Sequence, residues 1–389
     1  MPLRLALVAS TLVLGLCLPA AGGAAPPNGR AVWIWYLSRS AGGRIAAIAA
    51  DAHAAGVRTL IVKAADGVRP WAQFNRGLVS ALRAQRLHVC AWQYVYGTHP
   101  VGEAAAATRA ARAGAECLVI DAEGEYEGRY AAAQIYLHRL RAAVGHRYRL
   151  GLASFPYVDY HPAFPYSVFL GPGGAQFDLP QMYWRDIGTS VDAVYRHTYA
   201  TNRIYGRPIL PLGQADHGAS GREARRFRAL AVHYRARGIS WWDFAWVVAN
   251  GLWPALGGPY GPAAGLPRPG LRVLQRGDRG DDVLWLQEHL AAVLPRQRLT
   301  GLFGAQTAHN LRAFQARRHL PVTGGAGPRT WRLLRRLHPV RVGWAAGRAL
   351  DARVLPAPRS ALLPPVAVEI PPLGSDRHAD PARSMNRAA

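Results

Sequence analysis

The sequence predicts an α/β protein: a (β/α)8 barrel of the TIM type, followed by a small all-α three-helix domain. Three observations carry this expectation. Across residues 31–256, eight short apolar runs alternate with longer stretches of helical periodicity. A Gly- and Pro-rich segment, residues 257–270, then breaks the pattern and reads as a linker. Beyond it, residues 271–337 carry three short amphipathic helical patterns. Eight strand–helix units in one segment favour a closed parallel barrel. The open doubly wound sheet is the alternative, but no Gly-x-Gly-x-x-Gly loop follows any of the runs.

The expected strands of the first segment are Val32–Tyr36, Thr59–Lys63, Leu87–Gln93, Cys117–Asp121, Tyr148–Ser154, Phe177–Trp184, Pro208–Gly213 and Ile239–Phe244. Each is short, apolar and rich in β-branched or aromatic residues. The intervening helices are expected at Ile45–Ala55, ended by Gly56, at Leu78–Arg86, Gly102–Ala113, Tyr130–Val144, Val191–Ile204 and Gly221–Arg237. The fifth helix is expected to be short or irregular, because Phe155–Phe169 is dense in Pro and aromatics. In the second segment, Asp281 or Asp282 is placed to cap a helix carrying Val283, Leu286 and Leu290 on one face. Thr300–Thr307 leads into a second helix with Ala308, Leu311 and Phe314 on its apolar face, and Pro328 suits the first turn of a third.

The ends read differently. Residues 1–25 carry Arg4, an apolar run from Leu5 to Leu18 and a small-residue stretch ending at Ala25, the pattern of a cleaved signal peptide. The run is short for a membrane span, so a secreted or wall-located protein without stable membrane insertion is expected. Residues 356–389 are rich in Pro, Ala and Arg without periodicity and read as a disordered tail.

Formal net charge is +24, with a single lysine, Lys63, among 47 basic residues. Such a chain is attracted to polyanions. The arginines are scattered rather than clustered, which weakens the nucleic-acid reading and leaves anionic lipid or an acidic wall polymer. After signal cleavage two cysteines remain, Cys90 and Cys117, in neighbouring expected strands. Buried free thiols are the plainer reading, and a disulfide stays open. Nothing resembles a Cys/His zinc cluster, and neither metal nor cofactor is expected. The chain is expected to be a monomer.

The fourth strand ends in Ile120-Asp121-Ala122-Glu123. Positions i and i+2 of a strand share a face, so Asp121 and Glu123 can enter one cavity. Two close carboxylates cannot ionise independently, and one becomes a candidate general acid at neutral pH. Glu125 and Glu127 read as acids in the first turn of the following helix. Active sites of such barrels form at the carboxyl ends of the strands. Those ends offer Trp35, Lys63, Gln93, Gln181, Tyr183, Trp184, Trp242 and Asp243, with Asp66 and Asp216 nearby. The collection is aromatic and polar, as a sugar requires. Lys63 can also simply pair with Asp66.

Two resemblances sharpen the reading. Arg276–Gly280, Gly301-Leu302-Phe303-Gly304 with Thr307, Ala313-Phe314-Gln315, and Gly327-Pro328 with Thr330-Trp331 resemble the three-helix peptidoglycan-binding domain of cell-wall hydrolases. Thr300 and Ala305 depart from it, where Asp and Pro are usual. The barrel motifs Ile120-Asp121-Ala122-Glu123, Gln181-Met182-Tyr183 and Trp241-Trp242 resemble the glycoside-hydrolase superfamily of chitinase-like and lysozyme-like barrels. Ile61–Gly67 is similar to the second-strand motif of the lysozyme-like group. The first strand lacks that group's Asp, and Leu118 and Val119 stand where chitinases carry acids. The chitinase-like resemblance implies Glu123 as general acid, with Asp121 and Tyr183 steadying the substrate's N-acetyl group. Their place at the strand ends makes Trp35, Lys63, Gln93, Gln181, Trp184, Trp242 and Asp243 the expected substrate contacts. The expected function is hydrolysis of an N-acetylhexosamine-containing wall glycan, peptidoglycan or a relative. The alternatives are a non-catalytic peptidoglycan-binding wall protein with a degenerate barrel, and a surface protein that binds another glycan.

Overall fold

The computed structural model describes residues 27–258, 267–351 and 353–355. The expected signal peptide, the expected tail and the middle of the expected linker lie outside the described residues.

Eight parallel strands form the barrel: β1 (Gly29–Ile34), β2 (Thr59–Asp66), β3 (His88–Val95), β4 (Cys117–Ala122), β5 (Arg149–Ser154), β6 (Phe177–Pro180), β7 (Leu212–Gln214) and β8 (Gly238–Trp242). Their hydrogen-bonded order is β6-β5-β4-β3-β2-β1-β8-β7. Parallel bridges Asp178↔Ile209 and Gln181↔Leu212 join β6 to the β7 run and close the circle. Strands β6 and β7 are shorter than the apolar runs suggest, because Pro180, Pro208 and Pro211 bring no N–H to the ladder. Their carbonyls still accept where the chains pass, as Pro208 O does from Asp178 N at 3.0 Å.

Helices alternate with the strands: α1 (Ile45–Ala54), α2 (Arg76–Ala84), α3 (Pro100–Arg112), α4 (Tyr130–Val144), α5 (Tyr166–Phe169), α6 (Val191–Thr201) and α7 (Gly221–His233). Local chemistry sets their starts. Asn75 accepts from Leu78 N ahead of α2, and Ser190 accepts from Ala193 N ahead of α6. Ser220 and Glu223 form a reciprocal capping box at α7. Gly56, at φ +69°, ends the turn after α1. Two short helices, α8 (Phe244–Ala249) and α9 (Trp253–Leu256), complete the barrel segment.

Strand parity divides the apolar residues into two layers. Trp33, Ile61, Cys90, Trp92, Cys117, Val119 and Leu212 fill the barrel interior. Val32, Ile34, Leu60, Val62, Val89, Leu118 and Ile120 pack outward under the helices. Cys90 and Cys117 are register partners on β3 and β4 with Cα atoms 4.6 Å apart, and they form a disulfide rather than the free thiols that the sequence reading preferred.

The C-terminal segment holds α10 (Asp281–Ala291), α11 (Ala305–Arg317) and α12 (Pro328–Leu334). Neither Asp281 nor Asp282 caps α10: Gly280 occupies the cap position, without a side-chain cap. Asp281 is instead fully enclosed by the barrel's helices. It accepts from Tyr130 Oη at 2.8 Å, Ser167 N and Oγ at 2.7 Å each, and Tyr205 Oη at 2.6 Å. Trp285 lies against Tyr205 and donates Nε1 to Ile204 O at 3.1 Å. The helical segment is therefore docked on the barrel. Among the described residues, no helix is long and apolar enough to cross a membrane.

Candidate active site

The carboxyl ends of β2, β3, β4 and β6 meet around one acidic pair. Asp121 is the fifth residue of β4, two beyond the inward-facing Val119, so it also points inward. Glu123 follows the strand end. Gln181, just past β6, donates its Nε2 to Asp121 Oδ1 at 3.0 Å and to Glu123 Oε1 at 2.7 Å. One amide nitrogen thus touches both carboxylates, and the two groups lie well within the ~10 Å range of working acid pairs. Burial raises the Asp121 carboxyl well above its ordinary value, and the charge on Glu123 adds to that, against the pull of Lys63. Burial likewise brings half-buried Glu123 up to about 7, with Glu125 adding and the Gln181 amide, Lys63 and Asp121 opposing. A carboxyl group in that range can hold a proton at neutral pH and release it.

Lys63, 1% exposed, lies below the pair on the inward face of β2. Its ammonium pairs with Asp66 at 2.8 Å and sits 4.0 Å from the Trp92 ring centroid. Trp71, Trp35 and Tyr94 surround it at 5.3, 5.6 and 5.8 Å. Burial lowers its affinity for the proton, while Asp66, Asp121 and Glu123 favour the charged form. Trp242, at the end of β8, contacts Trp92, Trp35 and Trp33 at 5.5, 5.6 and 5.7 Å and completes an aromatic floor. Tyr183 is buried, and its hydroxyl is held protonated by burial and by the charges of Asp216, Asp121 and Glu123.

Several expected residues fall elsewhere. Gln93 faces the helical layer, where its Nε2 donates to Gly67 O and Glu103 O, and its Oε1 accepts from Tyr136 Oη. The inward residue is its neighbour Tyr94, because Cys90 and Trp92 fix the parity of β3. Trp184 is fully buried in the outer layer against Phe227, at 5.4 Å, and offers no sugar platform. Asp243 caps α8, accepting from Trp246 N at 3.2 Å, and burial raises it to about 6 with Asp216 adding. Glu125 does not lie in the first turn of α4, which has no acid there. It belongs to a one-turn 3-10 segment, Gly124–Tyr126, and accepts from Tyr94 Oη at 2.8 Å, which brings it beside Glu123. Glu127 pairs with His161. Asp216, placed near the strand ends by the sequence, is buried; burial raises it to about 6, and its charge acts on both Tyr183 and Asp243. Among the described residues no group of three or more His, Cys, Asp or Glu is arranged to hold a metal ion.

Residues 279–334 match the family model described as "Putative peptidoglycan binding domain". No curated protein matches the chain. Among solved structures, the barrel is similar to a chitinase from Cycas revoluta in complex with allosamidin, at 9% identity and TM-score 0.43, covering 58% of this chain and 98% of that one. It is similar to the catalytic domain of a chitinase from Pyrococcus furiosus, at 12% identity and TM-score 0.41, covering 60% and 98%. A sugar phosphate isomerase/epimerase from Parabacteroides distasonis stands at the same distance, at 10% identity and TM-score 0.39, covering 58% and 97%.

Proposed function

We propose that the protein hydrolyses a cell-wall glycan at an N-acetylhexosaminide bond, and that residues 279–334 hold it on peptidoglycan. The observation that carries this is the Asp121–Gln181–Glu123 contact, with Tyr183 beside it. Glu123 carries the proton that passes to the glycosidic oxygen as the C1–O bond breaks. The substrate's own N-acetyl oxygen forms a bond to C1 and replaces the leaving group. Asp121 accepts from the acetamide N–H, and the Tyr183 hydroxyl donates to the acetamide oxygen. Water then opens the cyclic intermediate, Glu123 takes back a proton, and the anomeric configuration is retained. The aromatic floor of Trp242, Trp92 and Trp35 gives the pyranose an apolar face to lie on. Secretion to the wall fits the N-terminal pattern, and the positive charge suits an anionic polymer.

The test is release of reducing ends from purified wall by the parent chain and by Glu123→Gln. The substitution keeps shape and removes the transferable proton, so the rate should fall by about 10²–10⁴-fold with unfolding unchanged. Equal turnover removes Glu123 from the mechanism. A parent that sediments with wall but releases nothing leaves the wall-binding reading with a degenerate barrel.

A further inference from the structure

The aromatic floor does not stop at the acidic pair. Trp242 contacts Trp35, Trp35 stacks on Tyr36 at 5.6 Å and 12°, and Tyr36 contacts Trp71 at 5.2 Å. Trp35, Tyr36 and Trp71 are half-buried, so each keeps ring surface in the open. The Arg39 guanidinium lies 4.9 Å over the Tyr36 ring and is exposed. Arg39 makes no ion pair among the described residues, whereas Lys63 is already neutralised by Asp66.

The loops that bear these rings are fixed in place. Gln73 donates to Trp35 O at 2.8 Å and to Lys63 O at 3.1 Å, and accepts from Leu37 N at 2.9 Å. Ser40 Oγ donates to Tyr36 O at 3.1 Å. The loop after β1 and the loop after β2 are thus tied to each other by one side chain, and the track needs little ordering when a ligand arrives.

We propose that Tyr36, Trp71 and Arg39 form a second sugar subsite, next to the cleaved bond, for a sugar bearing a carboxylate. This rests on the hydrolase reading for the position of the cleaved bond, but its own evidence is the ring series and the unpaired guanidinium. A pyranose lays its C–H face on an aromatic ring, which a neutral sugar satisfies as well as an acidic one. The guanidinium adds what a neutral sugar cannot use: a planar pair of donors matched to a carboxylate. The track would therefore favour a glycan in which an acid-bearing sugar alternates with the N-acetylhexosamine over a uniformly neutral polymer.

The experiment compares two soluble oligosaccharides of equal length, one alternating glycan with free carboxylates released from purified wall, one neutral chito-oligosaccharide. A third probe is the first glycan with its carboxylates methyl-esterified. Binding to the full chain carrying Glu123→Gln is measured by tryptophan fluorescence, and kcat/KM is measured with the parent. Arg39→Gln should lower the preference for acidic over neutral glycan about tenfold, as should esterification, while Trp71→Ala weakens both ligands. An unchanged preference ratio in Arg39→Gln overturns the subsite, and so does a Glu123→Gln chain that binds neither glycan. An Arg39-dependent preference in a chain that cleaves nothing supports the subsite and sinks the hydrolase reading. Cleavage with no Arg39 effect does the reverse.

Discussion

Replacing Asp281 by alanine should undock the helical segment from the barrel. The carboxylate is 1% exposed and accepts four hydrogen bonds, all from the barrel segment: two from tyrosine hydroxyls on α4 and after α6, and two from Ser167 on α5. In the alanine variant these donors face an apolar gap. The three hydroxyls can turn in search of other acceptors, but the Ser167 backbone N–H cannot. A buried donor left without a partner costs about 1–3 kcal/mol. Two unrescued donors out of four then give about 2–6 kcal/mol. The Trp285–Tyr205 packing and the Trp285 hydrogen bond to Ile204 persist, which keeps the loss from being larger. Asp281→Asn keeps one acceptor for Ser167 and should lose roughly half as much. Urea unfolding of the full chain, followed by tryptophan fluorescence and by proteolysis between barrel and helices, reads the effect. The parent should unfold in one transition, and the alanine variant in two, the helical segment first. If Asp281→Ala keeps one transition with its unfolding free energy lowered by less than about 0.5 kcal/mol, the carboxylate does not hold the docking.

Two further predictions concern charge. Lys63 opposes the upward shift of both Asp121 and Glu123, so Lys63→Met should move both limbs of the pH–rate profile to higher pH, by about one unit. Lys63→Arg should largely restore the profile, and a Met variant with an unmoved profile would show that Lys63 only fills space. The second is a stability profile: Asp178 and Asp282 are raised to about 7, and Asp216, Asp243 and Asp281 to about 6, in each case by burial. Such groups bind protons more tightly folded than unfolded. Their contribution is complete below the unfolded value near 4 and is lost as pH rises through 6 to 7. Asp192, held low by its two-point contact with Arg226, changes only as pH falls below about 4, outside this window, while His289, lowered to about 4 by burial, works the other way and is outnumbered. The melting temperature should therefore fall from pH 5 to pH 8, and a steady rise across that window would contradict the assignment.

The barrel was legible because its periodicity is local: eight apolar runs and their helices recur within a few residues of where the sequence places them. The Asp-x-Glu pair was legible for the same reason, since its two carboxylates share a face by strand parity alone. The errors at the site were errors of parity that the sequence could have corrected. With Cys90 and Trp92 inside, Gln93 must face out and Tyr94 in. With Gln181 and Tyr183 inside, Trp184 must face out, and it does. Glu125 was a different failure. Its role depends on a helix that begins only at Tyr130 and on a hydroxyl delivered from β3, 31 residues earlier.

Asp281 marks where sequence reasoning stops and tertiary structure takes over. An Asp at the start of an amphipathic helix reads as a cap, and by local energetics that is the better assignment. Its partners lie 76 to 151 residues away in the chain, and no local pattern announces them. The consequence reaches beyond the helix. A module on a flexible Gly/Pro linker would raise only the local concentration of substrate, to a degree set by linker length. A module clasped at Asp281, with Gln134 of α4 also donating to Val342 O at 2.7 Å, holds its surface at one bearing to the cleft. On the proposed hydrolase reading, wall strands held by such a module would present only some of their bonds to Glu123. Undocking by Asp281→Ala should therefore reduce cleavage of intact wall more than cleavage of soluble oligosaccharide, a split that a merely tethered module would not produce.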